Sequence, residues 1–344
     1  MRFGLTPSER FGHDPPMLAF VIRRLLQSAA VMLAVAFVAF ALFNFVGDPI
    51  NSMVGQDTTL ADRERLRQEL GLNDSFIVQF ARFVRHAAQG EFGLSYQQAR
   101  PVGKIILEKL PATLELSFVA AGLALLLGVP MGIYTGLHRN SWGAQSLLAV
   151  SLVGISLPTF LIGILLILIF AVMLGWLPSF GRGQVVQLGW WSSGLLTIDG
   201  WRAIILPAVT LSLFQMTLIM RLVRAEMIEV LRTDYIKFAR ARGLTNRAVN
   251  FGHALKNTLV PVITITGLQL GSIIAFAIIT ETVFQWPGMG LMFIQAVTFA
   301  DIPVMAAYLV LVGFFFVVIN LVVDLLYYVV DPRLRIEREQ VGGG

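Results

Sequence analysis

"DYIKFARARGLTNRAVNFGHALKN", residues 234–257, is a basic stretch between two uncharged segments, residues 203–220 and 258–280. The chain around it has 344 residues, of which 56% are hydrophobic and 14% are charged. A soluble domain carries about 25% charged residues, so this chain has too little polar surface to cover a water-soluble globule. The basic stretch is therefore a loop of an integral membrane protein, and the apolar segments around it define the fold.

Six apolar stretches come near the roughly 20 residues that a helix needs to cross about 30 Å of hydrocarbon. The predicted fold class is an all-α integral membrane protein with six transmembrane helices. The first span follows residues 1–16, a predicted disordered extension, and the last precedes residues 332–344, a predicted cytoplasmic tail. The predicted spans are residues 17–46, 112–137, 147–174, 203–224, 258–282 and 302–330.

The basic residues also predict the orientation of the spans. Lys and Arg are frequent in the N-terminal segment up to Arg24, in the 234–257 stretch and in the C-terminal tail, and the loop after the fifth span has none. Cytoplasmic loops carry the excess of Lys and Arg, so both termini are predicted to be cytoplasmic. Residues 47–110, which are long and balanced in charge, are then a predicted periplasmic cap region of short helices. The net charge of +5 indicates contact with anionic lipid headgroups rather than with nucleic acid.

The 234–257 stretch has the pattern of a helix-turn-helix. Thr233 precedes a predicted helix over residues 235–242, Gly243 occupies the position of a left-handed C-terminal residue, and Thr245 or Asn246 begins a second helix. One face of the first helix is expected to carry Tyr235, Phe238, Ala239 and Arg242, and one face of the second Ala248, Phe251, Leu255 and Leu259. We call residues 232–257 the basic loop, and we expect its aromatic residues to dock into a groove on another protein.

The basic loop resembles the cytoplasmic coupling loop of permease subunits in bacterial ABC importers. That loop has the pattern Glu-Ala-Ala, three residues, Gly, nine residues, Ile-x-Leu-Pro. Here Lys237–Ala239, Gly243 and His253–Leu255 take the corresponding positions. The sequence departs from the pattern in two places, because Lys237 replaces the acidic residue and the proline follows later, at Pro261.

Other motifs extend the resemblance over roughly residues 17–335 and make it similar to the first permease of the dipeptide/oligopeptide/nickel branch. This resemblance implies the transmembrane fold of type I ABC importers and a role in moving short peptides across the bacterial inner membrane. The motifs, in chain order, are "LGLNDSFIVQFARFV", "GEFGLSY", "RPVGKIILEKLPATLELS", "ISLPTFLIGILLILIF", "LGWLPSFG", "TETVFQWPGMG" and "VVDLLYYVVDPRLR".

The resemblance also implies partners: a second, homologous permease, two cytoplasmic ATPases that each receive one coupling loop, and a periplasmic substrate-binding protein. ATP and Mg would then bind to the partner ATPases, and this chain itself would hold no cofactor and would not be an enzyme. Consistent with that expectation, Gly103-Lys104 is followed by Ile, so no phosphate-binding loop is present there. The residues implied to contact the ATPase are Tyr235, Lys237, Phe238, Ala239, Arg240, Arg242, Gly243, Leu244, Phe251 and Leu255.

Catalytic and metal sites are not predicted. Cysteine is absent, which removes disulfides and thiolate chemistry, and the four histidines lie far apart in sequence. No Ser/His or paired-Asp arrangement occurs within the predicted spans, so an intramembrane enzyme is the least favoured class.

Two carboxylates and one turn complete the candidate sites. Glu115 and Asp324 lie in or near predicted spans, where ionisable residues are functional candidates. A structural role, in interhelical hydrogen bonding or permease pairing, is favoured for both, and a proton-coupled secondary transporter that uses them is the alternative function. Trp286, Pro287 and Gly288 form a predicted turn after the fifth span, with Phe284 and Trp286 expected in the membrane interface; in the resembling family this turn is near the outer gate.

Overall fold

The computed structural model describes residues 17–46, 59–69 and 73–330. Long helices form a bundle, and one short hairpin interrupts them. The α-helices are α1 (Met17–Val46), α2 (Leu60–Glu69), α3 (Phe76–Ala88), α4 (Val102–Leu137), α5 (Trp142–Ser156), α6 (Thr159–Leu166), α7 (Ile198–Val230), α8 (Asp234–Ala241), α9 (Leu255–Val283), α10 (Met289–Thr298) and α11 (Ile302–Val330). Ile167–Met173 and Ala248–Ala254 are π-helical, and the strands β1 (Val186–Leu188) and β2 (Trp191–Ser193) pair antiparallel.

Some predictions fall on residues that are not described. The predicted extension over residues 1–16 and the predicted tail over residues 332–344 lie outside the described residues, as do residues 47–58 and 70–72 of the predicted cap region. In the rest of the cap region, α2 and α3 are short helices, and α4 begins before the predicted end of that region.

The spanning helices agree with a six-span fold. Within the described residues, four helices are individually long and apolar enough to cross a membrane, and the number reaches six if each of two bent pairs is counted as one span. The four are α4, α7 and segments of α1 and α11. Helix α4 begins before its predicted span, and α7 extends beyond its predicted span at both ends. A helix can continue past the edge of the hydrocarbon layer, so its length is not set by the span alone.

The third span is not the single helix over residues 147–174 that the apolar pattern predicted. This region instead contains two helices, α5 and α6 with its π-helical continuation, which are bent by 107° relative to each other. Leu157 and Pro158 separate them. Proline has no N–H for the helical ladder, and it disfavours the helical conformation of the residue before it, so the helix stops there although the hydrophobicity continues.

A seam of glycines brings α4 and α7 into close contact. Gly128, Gly132 and Gly136 recur every four residues along one face of α4. A Cβ atom on Gly132 would lie 2.6 Å from Cβ of Val223, and one on Gly136 would lie 3.0 Å from Cβ of Met227. Small residues at this spacing let helix backbones approach closely in a membrane, where burial of apolar surface does not drive helix association. The seam therefore packs the two helices together along much of their length.

The bundle has two ends, which we name by their most distinctive segments. At the loop end, Met227 of α7 packs with Ile236, Val249 and Ala254 of the basic loop and its continuation. At the corner end lies the aromatic corner, residues 284–288, which joins α9 to α10. Its Trp286 packs into the same cluster as Ala112 and Leu116 of α4, Ile204 of α7 and Ile273 of α9.

Candidate functional site

The basic loop is a helix-turn-helix, as its sequence pattern predicts. Helix α8 follows Thr233, whose backbone is extended, and ends in a turn at Gly243, where φ is +82°. The N–H of Gly243 donates to the carbonyl of Arg240 at 2.9 Å, and the N–H of Leu244 donates to the carbonyl of Ala239 at 3.3 Å. This pair of bonds is the Schellman motif. It requires a left-handed backbone conformation at Gly243, which glycine adopts without strain.

The second half of the loop begins at Thr245. The hydroxyl of Thr245 accepts from the N–H of Ala248 at 3.3 Å, so of the two predicted caps it is Thr245 that forms this bond. The π-helical segment that follows continues directly into α9. The loop is therefore joined to the bundle without a break on this side.

The inner face of the loop is fully packed. Ile236 and Val249 are 0% exposed, and both lie in the cluster that contains Met227 of α7. Ala239 is also buried, which corrects the prediction that it shares an exposed face with Phe238. The predicted face was offset from the observed one because the buried position Ile236 was not recognised as the anchor of α8. The basic loop thus has a fixed place at the end of α7.

The outer face of the loop exposes large apolar side chains. Phe238 is 65% exposed and Phe251 is 53% exposed, and the side chains of Tyr235 and Leu244 are also exposed. The guanidinium of Arg242 lies 5.8 Å from the centre of the Phe238 ring, within the range of a cation–π contact. The predicted contact residue Leu255 is only partly exposed. The loop therefore presents two exposed aromatic rings, one of them beside a cation, on a firmly anchored support.

Two pairs of polar side chains within the loop bond to each other. The hydroxyl of Tyr235 accepts from the Asn257 side-chain amide at 2.6 Å, which ties the start of α8 to the start of α9. Lys237 donates to Asp234 at 2.8 Å, and this bond lowers the pKa of that carboxyl below its ordinary value. Arg240 is exposed. Lys237, which replaces the acidic residue of the coupling pattern, is thus an exposed donor.

The aromatic corner is buried rather than interfacial. Phe284 and Trp286 are each 1% exposed, contrary to the expectation that they lie in the membrane interface. The indole N–H of Trp286 donates to the carbonyl of Ala112 in α4 at 2.9 Å. Pro287 and Gly288 complete the turn, and Gly288 donates to the carbonyl of Trp286 at 2.7 Å. Tryptophan at the end of a span is common both at interfaces and in helix contacts, and the sequence alone did not separate these cases.

A buried carboxylate that was not among the predicted sites lies beside the corner. Glu281, at the end of α9, is 0% exposed. Its carboxylate accepts from the hydroxyl of Thr113 at 2.6 Å and from the N–H of Leu291 at 3.0 Å. An ionisable residue at the edge of an apolar span is the signal that drew attention to Glu115, and it applies equally to Glu281.

Glu115 is paired within the chain. Its carboxylate lies 2.6 Å from the guanidinium of Arg182, and both side chains are at most 6% exposed. Arg182 also donates to the hydroxyl of Ser192 at 2.9 Å, and the N–H of Gly194 donates to Glu115 at 3.2 Å. The pair therefore fastens the segment that carries β1 and β2 to α4. Arg182 was not among the predicted site residues, because its partner lies 67 positions away.

Asp324 forms a partly exposed ion pair. Its carboxylate lies 3.0 Å from the guanidinium of Arg24, so that it links α11 to α1. Asp301, another residue outside the predicted set, accepts from the N–H groups of Tyr96 and Gln97 and from the hydroxyl of Ser95. Burial, and then the nearby Asp301, raises the pKa of the Tyr96 hydroxyl to about 12. In the described parts of the chain, no group of three or more His, Asp or Glu residues has the arrangement of a metal site.

Two family models, one for each half of the chain, both describe membrane components of binding-protein-dependent transport systems. Residues 128–336 match the family described as binding-protein-dependent transport system inner membrane component. Residues 17–117 match the family described as the N-terminal part of the binding-protein-dependent transport system membrane component. The two matches include the basic loop, the aromatic corner and the carboxylates described above.

Similar proteins carry permease names. The chain is 37% identical to the dipeptide transport system permease protein DppB of Alkalihalophilus pseudofirmus, over 93% of this chain and 100% of that protein. It is 35% identical to a putative peptide transport system permease protein of Brucella abortus, over 93% and 99% of the two chains. It is 36% identical to the glutathione transport system permease protein GsiC of Salmonella paratyphi A, with the same coverage.

A solved structure has the same fold. It is the MetNI methionine ABC transporter in an inward-facing conformation, with a TM-score of 0.53 over 66% of this chain and 96% of that one, at 19% identity. The likeness confirms the transmembrane fold of type I ABC importers. The proton-coupled alternative is not supported, since the matched family works with a binding protein and leaves ATP hydrolysis to separate subunits. The chain therefore belongs to the family of binding-protein-dependent transport system inner membrane components, as a multi-pass permease subunit of an ABC importer.

Proposed function

We propose that this permease moves short peptides, as one of two homologous permeases that pair with two ATPases and a periplasmic binding protein. The substrate class is supported by the names of the relatives, which transport dipeptides, peptides or glutathione. Uptake of labelled dipeptides to tetrapeptides by the reconstituted complex tests it. Uptake that requires ATP and the binding protein is expected, and a complex that imports another solute but no peptide would contradict the substrate class.

The basic loop is the docking element for one ATPase. The observation that carries this proposal is the contrast between its two faces: Ile236 is 0% exposed against the end of α7, whereas Phe238 and Phe251 are more than half exposed. Leaving two aromatic rings in water is unfavourable by about 1.5–3 kcal/mol each relative to full burial. A groove on a partner would remove that cost, and Arg240 and Arg242 would then meet acidic or carbonyl groups at its rim.

The anchoring of the loop explains how docking becomes transport. Because Ile236 and Val249 pack in the same buried cluster as Met227, a displacement of the docked loop displaces the end of α7 as well. The loop also continues into α9 through the π-helical segment. ATP-driven closure of the two ATPases would therefore move two spanning helices at once.

The docking role is tested with the double variant Phe238→Ala/Phe251→Ala in the full chain, expressed together with its partners. The amount of ATPase that co-purifies with the permease is expected to fall at least about tenfold, because the buried anchors of an interface dominate its affinity. Phe299→Ala is the matched control, since Phe299 is 60% exposed and lies near the corner end. An unchanged ATPase yield in the double variant would exclude a docking face.

The turn is tested with Gly243→Pro. Proline fixes φ near −65° and lacks the N–H that Gly243 donates to Arg240, so the turn at φ +82° cannot form. Transport is expected to be abolished while membrane insertion is retained. Gly243→Asn is the control, because asparagine tolerates the left-handed region. Normal uptake by Gly243→Pro would remove the proposed role of this turn.

We propose that both termini and the basic loop lie in the cytoplasm. Because the natural chain has no cysteine, a single introduced thiol reports one position without background. Arg247→Cys in the basic loop is expected to react with a membrane-impermeant thiol reagent only after the cells are opened. Gln98→Cys, in the exposed turn before α4, is expected to react in intact cells, and the reverse pattern would invert the topology.

A further inference from the structure

The environment of the buried Glu281 carboxylate is not accounted for by docking at the basic loop. A charge in the membrane region is costly, and the groups that meet this one are neutral: the hydroxyl of Thr113 at 2.6 Å and the N–H of Leu291 at 3.0 Å. Glu281 belongs to α9, Thr113 to α4 and Leu291 to α10. One carboxylate therefore joins three helices at the corner end.

The chain next to Glu281 is shaped to fit the carboxylate. A Cβ atom on Gly288 would lie 2.3 Å from an oxygen of Glu281, and one on Gly290 would lie 3.0 Å from the other oxygen and 2.6 Å from the backbone of Ile278. The 2.3 Å and 2.6 Å distances are shorter than real Cβ contacts, so the Glu281 side chain or the Ile278 backbone would have to shift. The turn from α9 into α10 thus closes around the carboxylate only because these two residues are glycines.

The start of α4 holds the aromatic corner by two further bonds. The hydroxyl of Thr113, which donates to Glu281, also accepts from the N–H of Met289 at 2.8 Å. The carbonyl of Ala112 accepts from the indole of Trp286 at 2.9 Å. Directional bonds of this kind fix the register of two elements, whereas apolar packing alone would allow them to slide. We call the contact of Ala112 and Thr113 with Glu281, Trp286 and Met289 the corner clamp.

The corner clamp is connected to the basic loop through two helices. From the clamp, α4 runs to the loop end, and its glycine seam holds it against α7 along the way. The end of α7 packs on the basic loop through Met227 and Ile236. A movement of the loop that displaces α7 therefore also displaces α4. The aromatic corner, which is bonded to Ala112 and Thr113 of α4, would move with it.

We propose that Glu281 is a positioning residue for transport: with Thr113, it makes the aromatic corner follow α4, so that movement driven at the loop end reaches the opposite end of the bundle. This inference rests on the proposed docking of the ATPase at the basic loop. Loss of the clamp leaves the docking site and the ATPases intact, and it separates ATP hydrolysis from substrate movement.

The test compares Thr113→Val and Glu281→Gln with the wild type, in the complete complex with its binding protein in proteoliposomes. The measured quantity is the number of ATP molecules hydrolysed per peptide taken up. This ratio is expected to rise about tenfold, because uptake falls while ATP hydrolysis per assembled complex stays within about twofold. Thr113→Ser keeps the hydroxyl and is expected to retain the wild-type ratio. Thr282→Val is the matched control, since Thr282 donates only within α9, to the carbonyl of Ile278.

A purely structural role would give a different result. In that case uptake and ATP hydrolysis would fall in parallel with the amount of assembled complex, and the ratio would not change. An unchanged ratio in Thr113→Val overturns the proposal, as does a failure of Thr113→Val to assemble while Thr113→Ser assembles normally. Failure of the underlying docking proposal is distinguishable, because it appears as an unchanged ATPase yield in Phe238→Ala/Phe251→Ala, whatever the ratio in the clamp variants.

Discussion

The basic loop and the corner clamp use opposite chemistry. At the loop end, the aromatic rings of Phe238 and Phe251 are exposed and the charged side chains face outward. At the corner end, the aromatic ring of Trp286 and the carboxylates of Glu115 and Glu281 are buried. An exposed apolar face is a feature of a surface that meets a partner, and a buried polar network fixes one arrangement of helices within a chain. The difference supports the proposal that this permease contacts the ATPase at the basic loop, whereas the corner clamp holds its own helices in register.

The largest effect is expected from breaking the ion pair at the corner end. Arg182→Met leaves the carboxylate of Glu115 buried without its cation, and removing one partner of a buried pair costs about 3–5 kcal/mol. The double variant Arg182→Met/Glu115→Leu is expected to recover most of that loss, because it removes the unpaired charge as well. Thermal unfolding of the purified permease in detergent measures both. A single variant as stable as the double variant would show that the pair does not fasten the β1–β2 segment.

The second largest effect is expected on the buried face of α8, and it distinguishes that face from the exposed one. Ile236→Ala creates a cavity against Met227 and is expected to destabilise the permease by about 2–5 kcal/mol. Phe238→Ala, two positions away on the exposed face, is expected to change stability by no more than about 0.5 kcal/mol. The same unfolding measurement checks both variants. If Phe238→Ala were the more destabilising, its ring would be part of the core rather than of a docking face.

A smaller effect is expected along the seam that connects the two ends. Gly132→Ala places a methyl group 2.6 Å from Val223 and is expected to cost about 1–3 kcal/mol, because the packed helices must separate. Gly122→Ala lies in the same helix with nothing within 4 Å of the added atom, and it is expected to be neutral or stabilising. Equal stability of the two variants would mean that α4 and α7 are not held by close contact.

The smallest effect is expected from the exposed pair of the basic loop. Lys237→Ala removes the bond to Asp234. Both side chains are exposed to solvent, so the variant is expected to leave the unfolding temperature unchanged. Because that bond lowers the pKa of Asp234, the variant should also return the titration of this carboxyl toward its ordinary range, as measured by the pH dependence of its NMR signal. A clear loss of stability would give Lys237 a structural role that its exposure does not indicate.

The sequence predicted the features that depend on neighbouring residues. Hydrophobic length located the spans, and the glycine at position 243 located the left-handed turn, since both follow from local chemistry. The prediction of the third span was wrong because length was given more weight than Pro158, although the break at a proline is itself local. The spacing of Gly128, Gly132 and Gly136 is also visible in the sequence, and it indicates the face on which α7 packs.

By itself, the sequence determined that the chain is a multi-span membrane protein with a helix-turn-helix in its most basic loop, because charge, length and turn chemistry act over a few residues. Which carboxylates are buried, and which groups they bind, depends on how the helices pack in three dimensions. Thr113 and Glu281 are 168 positions apart, and Glu115 and Arg182 are 67 positions apart. No periodicity encodes such pairs, since their partners are chosen when whole helices pack against one another.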